Sequence, residues 1–339
     1  MTSMTANGMT AVRADLSAHT VTVEHVPIPE PGEGEIRIAV KAAGVCLSDV
    51  HLVDGSIAPQ FLEGSVVTLG HEVAGIVDSL GPGVTGPEVG TRVLLQAGHQ
   101  TPEGRILTRG VDYDGGYAQY TVARAETVVP IPDSLPFEQA AIIPDAVSTP
   151  WAAVSTTAHI HAGESAGVWG LGGLGAHAVQ LLRMSGAAPI IAIDPLPAAR
   201  DRALALGADA VASPDEALDV IATLSPGGLD AAFDFAGVGP VRTQALRALG
   251  VHGRLVVVGL AGQGFEIESD TTFAFKGQAV LGNYGSEGTH VRELVHLLEY
   301  HRVDFSTSVS GTFPLTEAPA VIERLARKES NPIRFVLLP

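Results

Sequence analysis

The stretch Ala166-Gly167-Val168-Trp169-Gly170-Leu171-Gly172-Gly173-Leu174-Gly175 decides the fold of half this chain. An apolar strand candidate leads into the spacing G-x-G-x-x-G, and residues 175–185 follow with helical character. In that setting each glycine has a physical task. Gly170 permits the tight turn, Gly172 lets the backbone approach a pyrophosphate, and Gly175 lets the helix lie close on the strand. The helix N-terminus then favours phosphate, with Leu171, Gly173 and Leu174 completing the loop. The next apolar run, Ile190-Ile191-Ala192-Ile193, ends at Asp194, about twenty residues further on. Such a carboxylate accepts hydrogen bonds from both adenosine ribose hydroxyls and repels a 2′-phosphate, so NAD is favoured over NADP. The competing reading of Asp194 is a helix N-cap ahead of Pro195.

Outward from that loop, strand and helix candidates alternate. Strands are predicted at 189–193, 210–212, 231–235 and 254–258, with helices at 198–206, 215–224 and 241–249. Apolar strands alternating with helices predict an α/β, doubly wound parallel sheet with right-handed crossovers. Later helices are expected at 290–300 and 315–328, and a strand at 334–338. Before about Asp145 the texture changes to β-rich runs at 20–26, 35–42, 72–80, 91–95, 116–122 and 127–130, broken by Gly and Pro. This spacing predicts a compact, largely antiparallel β domain. Met1, Met4 and Met9 are all candidate starts, with the folded part expected from Met9 and the first eight residues as a loose tail.

At 339 residues, two domains of ordinary size are expected. The net charge of −17 disfavours nucleic acid or an anionic membrane as partner, since both demand clustered Lys and Arg. A small-molecule substrate is the better expectation. No secretory pattern opens the chain, and a cytoplasmic location is predicted. Residues 165–182 carry no formal charge, but their five glycines, with His177 and Gln180, argue against a membrane span.

The one cysteine, Cys46, cannot form an intramolecular disulfide, so its setting reflects burial, reactivity or metal binding. It lies in Gly44-Val45-Cys46-Leu47-Ser48-Asp49-Val50-His51, followed by Gly70-His71-Glu72. Thiolate, imidazole and carboxylate are zinc ligands, and a catalytic site uses three protein ligands with one position open. Cys46, His71 and an acid from elsewhere satisfy that count. Ser48 and His51 place a hydroxyl and an imidazole beside such a metal, as proton transfer requires. Asp49 and Glu72 are candidates for orienting the ligands. His159 and His161, and likewise His99, His177 and His296, read as exposed loop residues without a metal role.

With both motifs on one chain, the sequence resembles the zinc-containing medium-chain alcohol dehydrogenases over residues 9–339. The resemblance rests on the Cys46 and His71 motifs, on Asp145-Ala146-Val147-Ser148-Thr149-Pro150-Trp151, and on the glycine loop with Asp194. Phe233-Asp234-Phe235-Ala236-Gly237 and Val256-Val257-Val258-Gly259-Leu260 add to it. It implies a GroES-like, mainly β catalytic domain at 9–146 with 286–339 and a Rossmann NAD-binding domain at 147–285. Cys46, His71 and Asp145 are implied to bind one catalytic zinc, with Glu72 behind the metal and able to exchange in. Asp49 is implied to hydrogen-bond His71, and Ser48 to pass the alcohol proton through the nicotinamide ribose to His51. Thr149 matches a nicotinamide contact and Arg334 a pyrophosphate contact.

The implied reaction is hydride transfer between an alcohol, secondary or bulky given the small Ser48, and NAD. Ala97 and Trp151 are pocket candidates, and Phe61 and Tyr284 are pocket or packing residues. Two departures from the family stand out. The segment 96–114 holds none of the cysteines of a structural zinc site, so no structural zinc is expected. Leu47 replaces a frequent basic residue, which predicts weaker NAD binding. A homodimer or homotetramer is implied, with the strand at 279–282 as a candidate edge. The rival readings are a zinc-free quinone or enoyl reductase, a polyol dehydrogenase, and a non-enzymatic dinucleotide-binding protein.

Overall fold

The computed structural model describes residues 8–339. The tail and the starts at Met1 and Met4 lie outside the described residues, while Gly8, expected in the tail, opens the first strand. Chain contacts form two units, Met1–Asp145 with Glu287–Tyr300 and Asp304–Pro339, and Ala146–Ser286 with His301–Val303.

The chain begins with β1 (Gly8–Asp15), β2 (Thr20–Pro27), β3 (Glu35–Val45), α1 (Leu47–Val53), β4 (Val66–Thr68), β5 (Glu72–Leu80) and β6 (Arg92–Leu95). A hairpin of β7 (Gly98–Gln100) and β8 (Ile106–Thr108) precedes β9 (Tyr120–Arg124), β10 (Val128–Pro130) and α2 (Phe137–Ile142). A π-helical turn, Ile143–Val147, leads to α3 (Ser148–Ala152) and a second such turn, Ala153–Thr157. Alternation then sets in: β11 (Ala166–Trp169), α4 (Gly173–Ser185), β12 (Ile190–Ile193), α5 (Pro197–Ala205), β13 (Ala210–Ala212), α6 (Ala217–Leu224) and β14 (Leu229–Asp234). It continues with α7 (Gly239–Ala248), β15 (Leu249–Val257), α8 (Asp270–Lys276) and β16 (Ala279–Gly282). The chain ends in α9 (Gly288–Glu299), β17 (Val309–Pro314), α10 (Ala318–Ala326) and β18 (Arg334–Leu338).

In the second unit six parallel strands run in the order β13-β12-β11-β14-β15-β16. From central β11 the chain winds one way through β12 and β13, then returns to β14 on the other side. The loops after β11 and β14 therefore part at a topological switch point, where such sheets bind ligands. Strands β11 and β12 are buried at every residue, as expected for a parallel sheet covered on both faces. A Cβ on Gly175 would fall 1.8 Å from the Gly170 carbonyl oxygen, so only glycine lets α4 approach β11 this closely.

In the first unit, β3 is the spine of a mainly antiparallel sheet, pairing with β5, β9 and β18. Its inward residues Ile36, Ile38 and Val40 pack with Val73, Val77, Val93 and Leu95 in one apolar core. Several elements differ from their sequence expectation. β3 runs on to Val45, beyond the expected end at Ala42, because β18 pairs with Ala43, Gly44 and Val45. Residues 116–119, expected as strand, precede β9; there Gly116 and Tyr117 donate backbone hydrogen bonds to Gly70 and Leu69. β15 starts at Leu249 rather than Arg254, with a register shift against β14. Local sequence pattern predicts no elements at β1, α1, β4, the β7–β8 hairpin, α2, α3, α8 or β17.

Candidate active site

Cys46 sits where β3 passes into α1, buried at the helix N-cap position. Its backbone N–H donates to Asp49 Oδ2 at 2.9 Å, which satisfies one of the unpaired donors of the first turn. His71 lies between β4 and β5, and Asp145 in the π-helical turn after α2. A π turn carries an extra residue and is a recurrent device at functional sites. Three distant parts of the sequence thus meet. The Cys46 Sγ lies 3.4 Å from Asp145 Oδ2, and His71 Nε2 lies 3.5 Å from the same oxygen. One ligand atom from each residue falls within 4.8 Å of the other two.

The donor set fits a zinc ion on its own chemistry: one sulfur, one imidazole nitrogen and one carboxylate oxygen converge, leaving a fourth position for substrate. Electrostatics favour a cation as well. Burial works against a charged imidazole, yet the Asp145 carboxylate, Cys46 and Asp49 together hold the His71 pKa well above the usual histidine range. The same carboxylates would hold a divalent cation in place of that proton, with Cys46, His71 and Asp145 as its ligands. Among the described residues no other such group of three ligands occurs.

Around the cluster, Ser48 Oγ lies 3.5 Å from Cys46 Sγ. His51 is one turn along α1, half-buried, its Nδ1 3.7 Å from Asp54 Oδ2. Asp49 Oδ1 faces His71 Nδ1 at 3.7 Å, beyond hydrogen-bond length but directly opposed. Glu72 is fully buried behind the cluster with Oε1 3.0 Å from Arg334 Nη2. Arg334, expected at a pyrophosphate, is buried there too, 3.7 Å from Asp145 and donating through Nη1 to the Val45 carbonyl at 3.2 Å. Burial opposes its charge, but Glu72, Cys46 and Asp145 hold its pKa above the usual arginine value. Sequence reasoning missed Tyr117, whose hydroxyl donates to Asp49 at 2.6 Å.

In the second unit Asp194 ends β12 and is nearly buried. Its Oδ2 accepts from Leu171 N and its Oδ1 from Leu196 N, each at 2.8 Å, so it ties the glycine loop to the start of α5. The N-cap of α5 itself is Leu196. Each oxygen keeps a lone pair for a ribose hydroxyl. Gly170 adopts φ +87°, and space around a Cβ on Gly172 is open to 4 Å. Thr149 is buried in α3, where its carbonyl accepts from Asn283 Nδ2 at 3.4 Å. Trp151 packs partly buried against the core of the second unit, and Ala97 accepts through its carbonyl from Arg109 N at 2.8 Å in the first. Leu47 and Tyr284 are exposed.

His159 and His161 are exposed. His177, expected on an exposed loop, is fully buried in α4 with Nδ1 2.6 Å from the Gly173 carbonyl. That local bond within its own helix lets the imidazole enter the core satisfied. His296 is exposed but on α9 rather than a loop.

Two family models match the chain. Residues 32–133 match the alcohol dehydrogenase GroES-like domain, and residues 173–300 match the zinc-binding dehydrogenase domain. The NDMA-dependent alcohol dehydrogenase of Amycolatopsis methanolica is 34% identical over 275 residues, covering 70% of this chain and 73% of that protein. The structure of 2R,3R-butanediol dehydrogenase from Bacillus subtilis superposes with a TM-score of 0.89 at 26% identity, covering 98% of this chain and 99% of that one. A Sinorhizobium meliloti 1021 structure of the zinc-binding dehydrogenase class, bound to NADP, also gives 0.89 at 28% identity, covering 98% of this chain and 100% of that one. Fold and site thus define a two-domain, nicotinamide-dependent oxidoreductase. The chain belongs to the zinc-type medium-chain dehydrogenase family.

Proposed function

We propose that this protein is an NAD(H)-dependent alcohol dehydrogenase that uses one zinc ion per chain to interconvert alcohols, secondary or bulky ones foremost, with ketones or aldehydes. The observation that carries the reading is the convergence of Cys46, His71 and Asp145 within 4.8 Å. A zinc-free reductase has no use for that donor set. Zinc supplies Lewis acidity at the substrate oxygen, and the nicotinamide carries the hydride. Ser48, 3.5 Å from the Cys46 sulfur, takes the alcohol proton, and His51 on the next turn of α1 delivers it to solvent. Glu72 stands behind the ligands with its charge balanced by Arg334. Cofactor choice follows from the Asp194 carboxylate at the end of β12, which a 2′-phosphate would meet as a like charge.

Substrate class follows from the small side chain of Ser48, with Ala97 and Trp151 as pocket candidates; the similarity to a butanediol dehydrogenase supports a secondary alcohol. Assembly as a dimer or tetramer is part of the same proposal, because among the described residues β16 pairs only with β15 and presents an edge for pairing. No helix among the described residues is long and apolar enough to cross a membrane.

The test joins zinc counting to NAD reduction with primary, secondary and cyclic alcohols. About one zinc per chain and activity abolished by Cys46→Ser are expected. Absence of zinc after metal-replete purification favours the zinc-free reductase instead. NADP turned over faster than NAD would reverse the cofactor assignment.

A further inference from the structure

Tyr117 is fully buried and joins the pieces of chain that carry Cys46 and His71. Its hydroxyl donates to Asp49 Oδ2 at 2.6 Å, with the Gly44 carbonyl a second acceptor at 2.9 Å. Its ring lies where a side chain on Gly70 would be: a Cβ there would meet Tyr117 Cδ1 at 2.3 Å, and Gly70 has φ +99°. Gly70 immediately precedes His71, and Gly44 stands two residues before Cys46. Backbone bonds hold the tyrosine in place, its N–H donating to Leu69 at 2.9 Å and its carbonyl accepting from Val12 at 2.7 Å.

The hydrogen-bond pattern at Asp49 gives this contact its meaning. Oδ2 accepts from both Tyr117 Oη and Cys46 N, whereas Oδ1 has no hydrogen-bond partner. His71 Nδ1 has none either, and the two bare atoms face each other across 3.7 Å, with both residues almost wholly buried. A small approach would let Nδ1–H donate to Asp49 and leave Nε2, on the Asp145 side, with its lone pair for a metal. Asp49 can play that part only while held with Oδ1 toward His71. Burial, and next the Asp49 charge, keep the Tyr117 hydroxyl far above the usual phenol range, so it remains a donor at any working pH.

We infer that Tyr117 is a positioning residue for the metal: through its hydrogen bond it holds Asp49 with Oδ1 aimed at His71, and so sets the affinity of the Cys46–His71–Asp145 cluster for zinc. This inference rests on the zinc reading above. It concerns a side chain that does not touch the metal ligands' donor atoms, and its effect is read as affinity rather than turnover.

The test is a competition between the full-length protein and a chromophoric chelator, with zinc alone as the ligand. Tyr117→Phe keeps the ring over Gly70 and removes only the donor. It is expected to bind zinc about ten- to a hundredfold more weakly, while the metal-stripped variant melts cooperatively. Asp49→Asn is expected to weaken zinc at least as much, and the double variant no more than Asp49→Asn alone, because the two act in series. Wild-type affinity in Tyr117→Phe, or losses that add in the double variant, would overturn the inference. If Tyr117→Phe does not fold, fluorotyrosine at 117 keeps the shape and changes the donor strength; an unchanged affinity there overturns it equally. A wild-type chain that takes up no zinc, or one whose zinc affinity survives Cys46→Ser, defeats the zinc reading itself and is distinct from these outcomes.

Discussion

Each unit of this protein buries an ionic cluster, and the two clusters are finished differently. In the second unit Arg242 pairs with Asp234 at 2.8 Å, both out of solvent. Arg242 also donates to the carbonyls of Gly237, Gly259 and Gln263, while Asp234 accepts from Ala236 N and Gly237 N. Every charged atom of that pair has a partner, and it pins the loops that follow β14 and β15. In the first unit Cys46, Asp49, Glu72 and Asp145 crowd around His71 and Arg334, and Asp49 Oδ1 and His71 Nδ1 remain bare. A closed network fixes a structure, whereas an unfinished one with excess negative charge is prepared for a cation.

Mutations that should have opposite effects can break this contrast. The largest expected change is in the unfinished cluster: Cys46→Ser should remove zinc and bring activity to background, yet move the denaturation midpoint of the metal-stripped protein by no more than about 1 kcal/mol. Comparable losses of stability and activity would show that this cluster also holds the fold. Next, Ser48→Ala should lower kcat by about 10²- to 10⁴-fold with zinc content retained, measured by steady-state kinetics and metal analysis. Arg242→Met should do the reverse. It strands the Asp234 charge and should cost about 3–5 kcal/mol in urea unfolding without changing zinc per chain.

The smallest effect concerns Glu164, which binds Arg254 at 2.7 Å at the end of the sheet where β11 begins. Burial works against its ionised form, but the Arg254 hydrogen bond, the His161 N–H and the Arg254 charge together outweigh it and hold the carboxyl below the usual glutamate range. A depressed carboxyl contributes stability above its unfolded pKa and loses it as pH falls through the folded value. Glu164→Gln should therefore cost about 1 kcal/mol at neutral pH and nearly nothing in acid, as followed by thermal melts across pH.

Much of the second unit was legible because its signals are local. The glycine loop, the strand before it and Asp194 lie within one βαβ unit, and backbone sterics at Gly175 act over a few residues. The Cys46 and His71 motifs were readable for the same reason, each being a short run next to a strand end. His177 was misread because sequence alone does not show that the Gly173 carbonyl, one turn back, satisfies its imidazole and admits it to the core.

By itself, then, the sequence determined the two-domain layout, the glycine loop and the candidate ligands, since spacing along one chain segment decides each of them. Tertiary structure alone decided where Arg334 goes, because β18 pairs with the end of β3 and brings that side chain beside Glu72. It alone brought Tyr117 to Asp49 across 68 residues of sequence, because backbone bonds from Gly116 and Tyr117 lay that segment against Leu69 and Gly70. Contacts between distant segments depend on strand pairing and on the packing of buried side chains, and no local periodicity encodes them.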